Sequence, residues 1–192
     1  LEIIAAGLDA LGEAAGRGML NSASLERRDA LELAKQHGCA VVVTAAGESG
    51  MPSDGAMRVA NATRMIEAAL AEGIPLGDVY VDPLVFPISV DSAFGNHVLE
   101  AFAELRRLYG PEIHITGGMS NVSFGLPNRK LINDAFLLLA IEAGADSGIG
   151  DPVTSRPSEV VCLDRSSRPM QLAIDVLTGA DRNCRTYLKA FR

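Results

Sequence analysis

The 192 residues are 48% apolar and carry 17 Lys and Arg against 24 Asp and Glu, a formal charge of −7, which describes an ordinary, mildly acidic globular chain and excludes a disordered one. The basic residues form no dense run and are not interleaved with aromatics, which argues against a nucleic-acid partner. No apolar run approaches the roughly 20 residues of a membrane span, and LEIIAAGLDALGEAAGRG has no basic stretch leading into an apolar one, so no membrane association is expected and a cytoplasmic protein is predicted.

The chain opens inside an amphipathic helix. Ile3, Ile4, Leu8, Leu11 and Ala15 recur at helical spacing with no cap before them, so a further segment upstream is expected. After Gly16 and Gly18, Met19 and Leu20 make a short β-rich run ending at Asn21. A second helix, about Leu25 to His37, closes on Gly38 and feeds CAVVVT, ending at Thr44. The third, about Ala56 to Glu72, closes on Gly73 and leads through Pro75 into DVYV and Asp82. The fourth places Val98, Phe102, Leu105 and Tyr109 on one face, closes on Gly110 and leads through HIT to the loop after Thr116. The fifth, about Asn128 to Ala143, carries Leu131, Ala135, Leu138 and Leu139 and closes on Gly144 before SGIG and Asp151. Helices near Pro157 to Leu163, Arg168 to Leu177 and Asp181 to Phe191 complete an outer layer, with Pro157 and Asp181 as helix starts and Gly179 as a stop.

Five copies of helix, glycine, short strand and polar residue predict an α/β fold with parallel strands and helical crossovers. Nothing resembles the glycine-rich dinucleotide turn, which favours a (β/α)₈ barrel over a doubly wound sheet. Five strands cannot close such a barrel, and no linker divides the chain, so residues 1–192 read as one domain incomplete at its N-terminus.

In parallel α/β folds, ligands bind at the C-terminal strand ends. Asn21 with Ser22, Thr44, Asp82, the segment Gly117 to Asn121, and Asp151 all fall there. Each alone also fits a helix cap or turn, Ser22, Ser24 and Asp151 most of all. Asp82 is harder to assign to a cap, because it directly follows VYV and precedes Pro83, which holds the chain extended. The three cysteines, Cys39, Cys162 and Cys184, match no paired-ligand spacing and read as buried thiols. His37 and His97 fall in helices and His114 in a strand, so no metal site is expected.

Three segments carry a specific resemblance: MLNSAS from Met19, VDPLVFPIS from Val81, and GGMSNVSFGLPNR from Gly117 followed by KLINDAFLLLAIEAGAD. In order and spacing they resemble the landmark motifs of the methyltetrahydrofolate:corrinoid methyltransferases and of the folate domain of cobalamin-dependent methionine synthase, with GLPNRKLIN favouring the free-standing enzymes. The resemblance implies a (β/α)₈ TIM barrel of the dihydropteroate synthase-like type, with this chain covering roughly strands 4 to 8. An aspartate that the family supplies from an upstream strand is not here. Carried over by position, Asn21 and Asp82 correspond to pterin ligands, Asn121 to the asparagine that approaches N5, Gly118, Ser120 and Phe124 to pocket lining, and Arg129 to a basic residue near the ligand.

The implied function is transfer of the N5 methyl group between methyltetrahydrofolate and the cobalt of a corrinoid (cobalamin) protein, with Asn121 and Asp82 as the catalytic pair. Tetrahydrofolate is then substrate, the corrinoid is carried by a partner protein, and the barrel itself binds no metal. A homodimer is implied for the full-length protein. Transfer in either direction fits. Two alternatives stand beside this one: a dihydropteroate synthase-like enzyme, which requires a diphosphate site that SNVSFGLPNR does not resemble, and a non-catalytic folate-binding remnant.

Overall fold

Helix and strand alternate as the glycine punctuation predicts. The computed structural model describes residues 1–192, apart from the side chains of residues 15–17. Its elements are α1 (Glu2–Leu11), β1 (Met19–Ala23), α2 (Asp29–His37), β2 (Ala40–Thr44), α3 (Gly55–Ala71), β3 (Val79–Asp82), α4 (Phe94–Tyr109), β4 (His114–Ile115), α5 (Arg129–Glu142), α6 (Pro157–Val160), α7 (Arg168–Leu177) and α8 (Arg185–Phe191). Among the described residues no helix is long and apolar enough to cross a membrane. At the end of α2, Gly38 takes φ 62°, ψ 27° and its N–H bonds back to the carbonyls of Ala34 and Lys35. A side chain there would strain the backbone, and this is why the sequence places glycine at the turn from helix to strand.

All strand pairs are parallel and follow chain order, β1-β2-β3-β4. A doubly wound sheet reverses its order at a switch point, whereas a barrel wall adds each strand beside the last. The sheet is therefore an arc of a (β/α) barrel wall. Its register divides the side chains between two faces. Leu20, Val41, Val43, Val79, Val81 and Ile115 are buried in one core with Leu31 of α2, Met65 and Ile66 of α3, Phe102 of α4 and Phe136 of α5. Each such side chain contributes about 1.5–3 kcal/mol of burial free energy. Asn21, Val42, Tyr80 and His114 share the opposite face, the concave one of a barrel, where the rings of Tyr80 and His114 stack at 4.4 Å.

Four expectations change on contact with the structure. SGIG is not a regular strand, although it runs where the fifth one belongs. Ile149 N–H donates to Gly117 O at 2.9 Å, Met119 N–H donates to Ile149 O at 3.0 Å, and Gly118 and Ile149 form a single parallel bridge. Two of its four residues are glycines with no side chain to pack on a sheet face. The second helix begins at Asp29, not Leu25, because Arg27 N–H first closes a turn onto Ser24 O at 2.9 Å. The last helix begins at Arg185, while Asp181 still acts as its start signal, accepting from the N–H groups of Thr186 at 3.0 Å and Tyr187 at 2.8 Å. Cys39 and Cys184 are buried, but Cys162 is exposed, since α6 ends at Val160 and leaves it on the surface.

The opening stripe is also left largely uncovered. Of its apolar residues only Leu8 is buried, while Ile3 is 90% exposed and Leu11 56%; Ala15 lies outside the described side chains.

The outer helices close tightly at one point. A Cβ on Gly95, in the first turn of α4, would stand 2.2 Å from the carbonyl oxygen of Leu177 at the end of α7. Gly95→Ala must push the two helices apart and is expected to cost about 1–3 kcal/mol. Urea unfolding should show it against Gly77→Ala, whose Cβ would meet only Glu112 O at 3.9 Å.

Candidate active site at the C-terminal strand ends

Asp82 closes β3 and stands in register with Thr44 at the end of β2, on the concave face. Its Oδ1 accepts from the N–H of Leu84 at 2.8 Å, which folds the chain back on itself just past the strand. Leu84 is held at φ 70°, in the left-handed region that a leucine avoids at a cost of about 1–2 kcal/mol. Burial pushes the Asp82 carboxyl up to about 6, and the Leu84 N–H opposes part of that rise. The result is a half-buried carboxylate with one oxygen engaged by its own loop.

Gly117 and Gly118 lie across from it. A Cβ on Gly117 would stand 3.3 Å from Asp82 Oδ1 and 3.1 Å from Val85, and one on Gly118 would stand 2.6 Å from Asn121 Nδ2. The two glycines thus form a bare backbone ledge with the Asp82 carboxylate beside one and the Asn121 amide over the other. Asn121 sits in the 3₁₀ segment Met119–Ser123, and its N–H donates to Gly118 O at 3.0 Å. Among the described residues its side-chain amide makes no hydrogen bond, leaving both its donor and its acceptor free for a ligand.

Two contacts tie the loop after β3 to the loop after β4. Ile88 N–H donates to Val122 O at 3.1 Å, and the Ser89 hydroxyl donates to Phe124 O at 2.6 Å. Asp82 and Asn121 therefore belong to one braced lip. Ser89 ends the VDPLVFPIS motif, but nothing in the sequence around it marks the contact it makes with Phe124. Nor did sequence patterning reveal Leu84, whose conformation depends on an aspartate two residues earlier; the Asp-Pro-Leu order was the only local signal.

The remaining candidates are distributed less evenly. Asn21 lies on the concave face, opposite Val42 in register and two strands from Asp82, hence about 10 Å across the sheet. Ser120 supports the loop through its carbonyl, which accepts from the Ser123 hydroxyl at 3.1 Å and from Arg129 Nη2 at 3.0 Å. Arg129 also donates from Nε to the Ser123 hydroxyl at 2.9 Å and stacks its guanidinium 4.5 Å over the Phe124 ring. It acts as the brace of this loop, and Phe124, 45% exposed, is its platform. Asp151 follows the SGIG segment and lines one cavity together with Ser120. Its Oδ1 accepts from Val153 N–H at 2.9 Å, the turn role its residue type also allowed.

A cavity of about 380 Å³ opens beside the lip, between α5 and residues 145–157. Ser120 lines it, with Met119, Leu137 and Ile141, but Asp82 and Asn121 do not. The cavity therefore adjoins the loop that carries Asn121 without including that side chain or Asp82.

The family model described as pterin binding enzyme matches residues 1–150. The methylcorrinoid:tetrahydrofolate methyltransferase of Eubacterium limosum is 36% identical over 156 residues, covering 79% of this chain and 52% of that protein. Methionine synthase of Mycobacterium tuberculosis is 33% identical over 162 residues, covering 77% of this chain and 13% of that protein. The chain thus spans about half of the first of these relatives and a small part of the second. A crystal structure of dihydropteroate synthetase with a product aligns with a TM-score of 0.57 at 23% identity, over 78% of this chain and 59% of that one, which is a likeness of fold. With its barrel arc and every candidate residue from Asn21 to Arg129 inside the matched region, the chain belongs to the family of pterin-binding enzymes.

Proposed function

We propose that this chain forms the pterin-holding part of a methyltransferase that moves the N5 methyl group between methyltetrahydrofolate and the cobalt of a corrinoid carried by a separate protein. The observation that carries the reading is the bare Gly117–Gly118 ledge with the Asp82 carboxylate beside it and the free Asn121 amide above it. The names of the relatives support the same substrates.

The chemistry asks little acid or base work of the protein. The ionised Asp82 accepts paired hydrogen bonds from the amino-pyrimidinone edge of the pterin, charge-assisted contacts that orient the ring. Asn21 supplies a further polar contact from the strand two places away. The Asn121 amide sits over N5, where its dipole stabilises charge as the carbon–nitrogen bond breaks or forms. In the folate-demethylating direction the leaving nitrogen must depart as a neutral amine, so N5 needs a proton or hydrogen bond before the methyl leaves. The corrinoid, when docked over the mouth by its own protein, supplies a cobalt centre that needs no activation from this chain. Gly118, Ser120 and Phe124 shape the pocket, and Arg129 keeps the loop in place. A single domain, dimeric in the complete protein and cytoplasmic, completes the proposal. The dihydropteroate synthase-like alternative draws no support from this lip, because Arg129 is already committed to Ser123 and the Ser120 carbonyl rather than offered to a diphosphate.

In the complete protein, Asn121→Ala is expected to lower the methyl-transfer rate by about 10² or more while changing folate affinity little. Asp82→Ala should do the reverse, weakening folate binding by about 10–100-fold through loss of charge-assisted hydrogen bonds. Stopped-flow transfer and calorimetric titration separate the two, and unchanged constants in both variants would sink the assignment.

Binding to the ionised carboxylate also fixes a pH dependence. Folate affinity should be level above about pH 6 and fall as pH drops through it. Stability runs the other way: a carboxyl raised in the folded state contributes stability below its ordinary value of 3.8 that is lost as pH rises through about 6. Asp82→Asn is therefore expected to be more stable than the parent at pH 7, with the advantage shrinking toward pH 4. Urea midpoints across that range measure it.

A further inference from the structure

We infer that Arg58 is a positioning residue that sets the Asp82 carboxylate through the backbone of Leu84; the inference rests on the proposed role of Asp82 as pterin ligand.

Arg58 lies on α3 and is fully buried. Among the described residues it makes no ion pair. Its Nη1 donates to Asp54 O at 3.0 Å, its Nε donates to Leu84 O at 3.4 Å, and its Nη2 is buried with no partner. The guanidinium lies 4.8 Å from the Phe86 ring and 5.9 Å from that of Phe94. The Asp54 carboxylate, beyond ion-pair distance, offsets only part of the cost of burying this charge, and desolvation still holds the guanidinium below its ordinary range. What the arginine adds is its geometry. It grips the loop after β3 at two points, the Leu84 carbonyl and the Phe86 ring.

Leu84 is the residue held left-handed, and its N–H is the one bonded to Asp82 Oδ1. The two peptide units that flank the Leu84 Cα are thus fixed, one by the carboxylate and the other by the guanidinium. A strained residue persists only where its surroundings over-determine it. Without Arg58 the Leu84 carbonyl loses its donor, the residue is free to relax toward negative φ, and its N–H turns away from Asp82. The carboxylate then loses the hydrogen bond that lowers its pKa and is no longer aimed across the glycine ledge.

The test combines Arg58→Met with a substitution that removes the strain. In the ligand-free protein, carbon-13 NMR of the Asp82 carboxyl should report a pKa higher in Arg58→Met than in the parent. Methyltetrahydrofolate binding should weaken by about tenfold, the weight of one hydrogen bond to a charged group. Adding Leu84→Gly, which takes positive φ without strain, should return both values most of the way toward the parent. A role for Arg58 in fold stability alone would give no such rescue. If Arg58→Met does not fold, Arg58→Lys decides the matter, because lysine keeps the charge but cannot grip both carbonyls; it should shift the Asp82 titration in the same direction by less. An unchanged Asp82 titration in a folded Arg58 variant, or a loss that Leu84→Gly does not restore, would overturn the inference. Failure of the parent to bind folate would instead count against the proposed function, since the ligand-free titration is read without it.

Discussion

Parallel pairing constrains everything else in this chain. When each strand is laid beside the previous one in the same direction, every carboxyl end arrives at one rim and every helix must return along the outside. Asn21, Thr44, Asp82 and the glycine ledge meet for that reason, although more than 90 residues separate the first from the last. The same constraint assigns the two sheet faces different work. Valines and leucines on the convex face hold the helices, while the concave face can carry Asn21, Tyr80 and His114 without costing the main core its apolar contacts.

The repeat was legible in the sequence because its signals are local. A glycine past a helix, a run of β-branched residues and a polar residue at the run's end each act over a few positions, and Gly38, Val41 to Val43 and Asp82 behave as their types require. Two of the three motifs that carry the family resemblance, VDPLVFPIS and GGMSNVSFGLPNR, coincide with the loops that build the lip, so the place of Asp82 and Asn121 in those loops was also readable. What escaped was the set of contacts between distant segments. Nothing local in the sequence marks Arg58, and only the packing of α3 against the loop after β3 makes it a buried grip on Leu84. Arg129 read as a residue near the ligand, whereas Ser123 and the Ser120 carbonyl capture it. SGIG showed the opposite failure. Its place in the repeat was right, but two glycines do not make a strand at the end of a sheet.

Strain and restraint are placed close together around the proposed site. Leu84 stores a backbone conformation that leucine resists, and the fold offsets it with one hydrogen bond from each side of the residue. Pro83 and Pro87 flank the same loop and limit the freedom it has when unfolded. A carboxylate held by such a loop needs little reorganisation on meeting a ligand, and this preorganisation is what positioning catalysis requires.

The bonds from Ile88 to Val122 and from Ser89 to Phe124 have a mechanical meaning as well. They cross-link two loops that arise from neighbouring strands, so neither can swing outward without breaking contacts to the other. Opening either loop to exchange therefore costs contacts of the other as well as its own. A ligand or partner arriving at this part of the mouth would therefore meet an edge whose two loops yield only together.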